Sequence, residues 1–167
     1  MKSIIMCLGM LSLAEKPTQP ICVLNIRQEV KYINSISKFK IVSIDNNNSN
    51  EGGNESYYFY NNNLFKVISK SYGETGQRTI EYYYRDKNLI FTFAKTSKYL
   101  PNTAEISCSI EIRNYYVNNT RCHASLSVVS PACQFIESDF DDLNQSKYFI
   151  LFIKKNPKSF YNATHQF

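Results

Sequence analysis

The sequence predicts an α+β fold. We expect an antiparallel β-meander sheet of about six or seven strands, an N-terminal helix packed on one face and a C-terminal segment that suits a second helix. Three observations carry this expectation. First, Tyr58-Phe59, the polar Asn61-Asn62-Asn63 and Leu64-Phe65 recur as Tyr83-Tyr84, Asp86-Lys87-Asn88 and Leu89-Ile90. A degraded third copy runs through Tyr115-Tyr116-Val117, Asn118-Asn119 and the stretch from Cys122 to Val129. An aromatic cluster, a pair of turn formers and an alternating apolar run spell a β-hairpin each time. Second, the aromatics are 13 Tyr and 11 Phe with no Trp, beside only 5 Gly and 5 Pro. Tyrosine suits half-buried strand faces that keep a wet hydroxyl edge. Third, a single clear stripe of three-four spacing, Val23, Ile26, Val30, Ile33 and Ser37, marks a helix within Ile21 to Phe39.

The elements follow in chain order. Lys2, an apolar run from Ile4 to Leu13 and the small residues of Ser12-Leu13-Ala14 predict a secretory signal over residues 1–14. The same run also suits an amphipathic helix. It is too short for a bilayer core of about 30 Å, which takes roughly 20 apolar residues, so no stable membrane span is expected. A single domain is expected over residues 21–155. Its helix comes first, with Arg27, Gln28, Lys31 and Asn34 facing water, then a strand over Lys40 to Ile44 and a turn-rich loop, NNNSNEGGN, from Asn46 to Asn54. Glu51-Gly52-Gly53 reads as a turn; a phosphate cradle needs a strand before it, a helix after it and more glycines at fixed spacing.

The returning strands of the first two hairpins are Leu64-Phe65-Lys66-Val67-Ile68 and Leu89-Ile90-Phe91-Thr92-Phe93, joined through SYGETGQ, which carries Glu74 at its tip. In the third, Ile106, Cys108, Ile110 and Ile112 alternate with polar residues, as do Cys122, Ala124, Leu126 and Val128, giving each strand one dry and one wet face. From Ser138 to Lys155, acidic residues at the front, Lys154 and Lys155 at the back and Phe140, Leu143, Lys147, Ile150 and Leu151 between them suit a helix ended by Asn156-Pro157. Tyr148 to Ile153 is also β-prone. Residues 156–167 read as a flexible tail.

With Cys7 removed in a signal, Cys22, Cys108, Cys122 and Cys133 form an even set for two disulfides in an oxidising compartment. Cys108 and Cys122 flank the third turn, which suggests one bridge there and a second between Cys22 and Cys133. Buried free thiols are the alternative. No metal site is expected, because Cys108, Cys122, His123 and Cys133 lack the close Cys-x-x-Cys pairing of structural zinc modules. No cofactor is expected either: the chain has no nucleophile elbow, zinc-protease helix, phosphate loop or dinucleotide fingerprint. A net charge of +5 spread over scattered Lys and Arg gives no concentrated field, so no nucleic-acid partner is expected.

The order of helix, Glu-Gly-Gly loop and tyrosine hairpins resembles a set of small exported, functionally uncharacterised bacterial proteins of Bacteroidetes type. Tyr57-Tyr58, Leu64, Glu81, Tyr83, Tyr84, Leu89, Phe91, Phe93, Glu111, Arg113, Tyr115 and Tyr116 carry the resemblance, across roughly Arg27 to Arg121. Arg121-Cys122-His123 departs from it, standing where Leu-Ile is expected. The resemblance implies an exported sheet protein and no particular reaction.

Two functions follow as expectations. One is a secreted or periplasmic, non-catalytic binding protein whose Tyr57, Tyr82 and Tyr84, on an outer sheet face, recruit a protein or glycan. The other is an enzyme with a thiol or carboxylate site near His123 and Cys122 or Cys133, under the Asn46 to Asn54 loop. Glu81 and Glu111, which open equivalent strands, read as solubilising residues or partners for Arg78 and Arg113.

Overall fold

In a computed structural model, residues 19–46, 51–128, 142–157 and 160 are described. The signal segment, Cys7 and Cys133 lie outside them. Helix α1 (Ile21–Ser35) is followed by strands β1 (Lys40–Asn46), β2 (Gly53–Tyr60), β3 (Asn63–Gly73), β4 (Gly76–Arg85), β5 (Asn88–Tyr99), β6 (Ile106–Val117) and β7 (Thr120–Val128), then helix α2 (Asp142–Lys155). The strands form one seven-stranded antiparallel sheet in sequence order, each paired with its neighbours in the chain. The expected α+β meander with a helix at each end is what forms. Among the described residues no helix is long and apolar enough to cross a membrane.

The repeat seen in the sequence is a geometric repeat. Asn61-Asn62, Asp86-Lys87 and Asn118-Asn119 all have positive φ, between 48° and 66°. Two successive positive values are the signature of the type I′ turn, whose twist matches that of the strands it joins. One step inside each turn the pairing slips, between Tyr58 and Phe59, Tyr83 and Tyr84, and Tyr115 and Tyr116. The extra residues opposite these slips are Phe65, Ile90 and Cys122. The third hairpin thus keeps the register of the other two, and its departure at Arg121-Cys122-His123 places a cysteine where they carry a large apolar side chain.

Alternation sends neighbouring tyrosines to opposite faces. Tyr83, Ile90, Phe91 and Tyr115 pack with Val23, Ile26 and Ile33 of α1. Tyr57, Phe59, Val67, Tyr82, Tyr84 and Tyr116 pack with Phe149 of α2 and Phe160. Both faces of the sheet are therefore covered, where the sequence led us to expect one partly exposed face.

Four details differ from expectation. Helix α1 stops at Ser35, whose hydroxyl donates to the Tyr32 carbonyl at 2.7 Å, while Ile36 turns extended with ψ 116°. Ser37 is thus outside the helix, and Phe39 instead lies edge-on to Tyr58 with ring centroids 5.6 Å apart. In α2 the inward stripe is Ser146 and Phe149, flanked by Ile150, Phe152 and Ile153, whereas Lys147 and Leu151 are exposed. Phe160, read as part of a flexible tail, is 1% exposed and sits 5.0 Å from the Tyr57 ring. On β7, Ala124, Leu126 and Val128 are exposed despite their alternation, because an edge strand has a neighbour on one side only and α2 packs nearer the sheet centre, while the slip takes Cys122 out of that alternation.

Candidate functional site

Tyr57, Tyr82 and Tyr84 do share one face, as their spacing implies, but they are 0%, 1% and 0% exposed. Phe149 of α2 meets Tyr57 at 5.9 Å and Tyr82 at 5.0 Å, both edge-on. These rings are core, and the expectation that they form an open contact surface is corrected by the helix that covers them. The Tyr57 hydroxyl donates to Glu55 Oε2 at 2.5 Å inside this layer, and burial together with that bond pushes its pKa well above the usual phenol range. The Tyr84 hydroxyl is fully buried, next to the Ser146 hydroxyl of α2. Burial raises its pKa too, opposed only in part by the neighbouring Ser146 hydroxyl.

The cysteines pair differently from the geometric expectation. Cys22 of α1 is bonded to Cys122 of β7, with Cα atoms 6.8 Å apart, and Cys108 is disulfide-bonded as well. A Cys108–Cys122 bridge fails because the two residues lie at opposite ends of the β6–β7 hairpin: Cys108 pairs with Lys98 at one end, while Cys122 sits in the slip beside Tyr115 at the other. Seven residues of strand separate those levels, about 23 Å, whereas a bridge needs Cα atoms within about 7 Å. Cys122 can reach Cys22 because it takes the position of Phe65 and Ile90, which point toward α1.

The α1 side of the sheet carries the densest polar network. Lys66 Nζ lies 2.5 Å from Glu81 Oε2 and 2.9 Å from the Tyr83 hydroxyl. That hydroxyl donates to Glu81 at 2.6 Å and lies 3.1 Å from Asn34 Oδ1 of α1. Burial, reinforced by the Glu81 carboxylate, holds the Tyr83 phenol well above its ordinary pKa, so it stays protonated and does not serve as a base. Glu111 accepts from Arg113 Nη2 at 2.8 Å, and the Arg113 guanidinium lies 4.8 Å from the Phe93 ring centre. Glu81 and Glu111 are thus spoken for by separate cations and kept apart by β5. His123 stacks obliquely on Tyr115 at 5.7 Å, beside a sulfur already in a disulfide. Among the described residues, no three His, Cys, Asp or Glu side chains converge as a metal site.

An open recess is found at the end of the sheet away from the three type I′ turns. There the β1–β2, β3–β4 and β5–β6 connections come together around a cleft of about 720 Å³ lined by Glu51, Glu74, Thr75, Tyr99, Asn102 and Thr103, among others. Backbone bonds carry the strand pairing one step into the connections: Tyr72 N–H of β3 donates to Gly52 O at 3.1 Å and Tyr99 N–H of β5 to Thr75 O at 2.9 Å. The β5–β6 loop is also closed on itself, with Leu100 N–H to Glu105 O at 2.8 Å and Thr103 N–H to Leu100 O at 3.1 Å. Its Asn102 holds φ at 60°, a conformation asparagine tolerates well. Gly76 is required where β4 leaves its turn, because a Cβ there would run into the Ser97 carbonyl oxygen. The cleft therefore offers two exposed carboxylates, neither ion-paired among the described residues, together with hydroxyls, an amide and a half-buried tyrosine ring.

Glu74 was legible as the tip of its loop and Glu51 as part of a turn. Tyr99, Asn102 and Thr103 were missed, although Pro101-Asn102 directly after an aromatic strand end is a turn signal. In comparisons with family models, curated proteins and solved structures, the chain matches none.

Proposed function

We propose that this protein is an exported, non-catalytic binding protein, secreted or periplasmic, that engages a glycan at the loop-end cleft. The observation that carries the reading is the cleft itself: roomy, with its connections bonded to the strand ends beside them, and lined by polar groups around one aromatic ring. Hydroxyl-rich ligands are held by such a mixture, in which a ring takes the apolar face of a sugar and carboxylate, amide and hydroxyl groups pair with its hydroxyls. Export is supported by the oxidised state of the three described cysteines, Cys22, Cys108 and Cys122. The same oxidation withdraws Cys108 and Cys122 from the thiol-enzyme reading, since a disulfide sulfur is no nucleophile at rest.

The test is a titration of the oxidised, isotope-labelled protein with a panel of neutral and acidic oligosaccharides, read by amide chemical shifts. Saturable shifts at Glu51, Glu74, Thr75 and Tyr99, lost in Glu74→Ala and Tyr99→Ala variants that keep the wild-type spectrum elsewhere, are expected. A panel that produces no saturable shift at these loops would sink the glycan reading.

A further inference from the structure

A second cavity lies at the opposite pole, where the β4–β5 and β6–β7 turns meet the side of α2. Its volume is about 330 Å³, within the size range of small-molecule sites. Leu89, Ile150 and Leu151 supply apolar wall, Ser146 a buried hydroxyl, and Lys87 and Lys147 stand exposed at the rim. Neither lysine is ion-paired among the described residues, in contrast to Lys66, Arg85 and Arg113, each of which has its own carboxylate. Two unneutralised ammonium groups therefore flank one apolar recess.

The position of Lys87 adds an independent observation. In the three equivalent turns the second residue is Asn62, Lys87 and Asn119, at φ 61°, 66° and 59°. Asparagine tolerates this left-handed conformation, whereas a lysine is strained in it. The turn alone is better served by asparagine, and the one hairpin that departs from it is the one whose turn borders the cavity with a cation. Strain of this sort is tolerated where a side chain is needed at a particular place.

We infer that this cavity binds a small amphiphilic carboxylate, a medium-chain alkanoate or a compound of like build. The tail lies against Leu89, Ile150 and Leu151, and the carboxylate sits between the Lys87 and Lys147 ammonium groups, within reach of the Ser146 hydroxyl. Burial of the tail supplies attraction without direction, and the two cations fix which end of the molecule faces out. The site is separate from the loop-end cleft, and the inference does not depend on what that cleft binds.

The experiment titrates the full, oxidised chain with octanoate, 1-octanol and inorganic phosphate, again read by amide chemical shifts. Octanoate is expected to give saturable shifts at Leu89, Ser146, Lys147 and Ile150, with octanol weaker by about tenfold or more and phosphate without effect. Lys87→Asn, which installs the residue of the other two turns and so keeps the hairpin, and Lys147→Gln are each expected to weaken octanoate severalfold, and the pair by about tenfold or more. Equal binding of octanoate and octanol, or octanoate binding that ignores both lysines, would overturn the carboxylate assignment. Saturation of the same amides by phosphate would replace it with a plain anion site. Octanoate shifts that fail to saturate below its micelle-forming range, or that map elsewhere, would remove the site.

Discussion

The bond between Cys22 and Cys122 ties the first helix to the last strand across a sequence separation of 100 residues. Every strand pairing in the sheet, by contrast, joins strands adjacent in the chain. Replacing both cysteines with alanine therefore removes the one long covalent closure among the described residues. In the chain-entropy model a loop of this size constrains the unfolded ensemble by about 4.7 kcal/mol at 25 °C. Native-state contacts change little, since Val23, Ile26 and Ile33 still bury their side chains and Arg27 Nε still donates to the Tyr115 hydroxyl at 3.3 Å. We expect Cys22→Ala/Cys122→Ala to lose about 3–5 kcal/mol of unfolding free energy. The measurement is equilibrium urea unfolding followed in parallel by tyrosine fluorescence and far-ultraviolet circular dichroism. Because the effect lies in the unfolded chain, which expands once the closure is gone, the urea dependence should steepen as the midpoint falls. A double variant within about 1 kcal/mol of wild type, with unchanged urea dependence, would refute the reasoning.

Further predictions concern single side chains. Tyr57→Phe removes a hydrogen bond to the buried Glu55 carboxylate and should cost about 1.5–3 kcal/mol, whereas Tyr84→Phe removes a buried hydroxyl whose neighbour is the uncharged Ser146 and should cost less, about 0.5–1.5 kcal/mol; chemical denaturation of the two variants side by side checks the contrast. Tyr57, Tyr83 and Tyr84 all have raised pKa values, so above about pH 10 the unfolded chain binds fewer protons than the folded one. Their contribution is complete below that pH and declines as pH rises toward the folded-state values, by about 1.4 kcal/mol per pH unit for each residue. The share of tyrosinate absorbance that these three buried residues contribute should therefore appear together with the loss of circular dichroism, in one cooperative alkaline step; ionisation of all 13 tyrosines with the fold intact would contradict it. Gly76→Ala, which drives a methyl group into the Ser97 carbonyl, should lose about 2 kcal/mol or more by thermal or urea unfolding. Lys87→Asn should gain up to about 1 kcal/mol in the same assay by relieving the φ of 66°.

The hairpins were legible because turn chemistry and alternation are local: Asn61-Asn62 and Asp86-Lys87 announce their turns from within a few residues. The grouping of Tyr57, Tyr82 and Tyr84 on one face was legible for the same reason. What covers that face was not, because Tyr148 to Ile153 suits helix and strand alike, and which α2 residues point inward depends on the shape of the sheet beneath it. Phe149 and Phe160 fill the space between the tyrosines, and nothing in their own neighbourhood announces it. The disulfide pairing was missed for a geometric reason. Flanking a turn in sequence brings two residues together only when they lie at equal distances from it, and Cys108 and Cys122 do not. Of the candidate sites, Glu51 and Glu74 were visible as loop residues, but the cleft they share exists only once three connections are gathered at one end of the sheet.

The unbroken meander has a consequence for how the chain is made and changed. Since each strand joins the one just completed, the sheet can assemble by successive hairpin additions as the chain emerges, with little loop-closure entropy to overcome at any step. The same property makes the hairpin a modular unit of growth. Duplication of one aromatic-turn-bulge segment would widen the sheet by two strands while leaving every existing pairing in place, much as repeat proteins extend by adding units against a neighbour. Such growth is limited by the cover: two helices shield the present width, and the edge strand β7, with Leu126 56% and Val128 52% exposed, already extends beyond it. The covalent link from Cys122 to α1 fastens the strand that packing holds least.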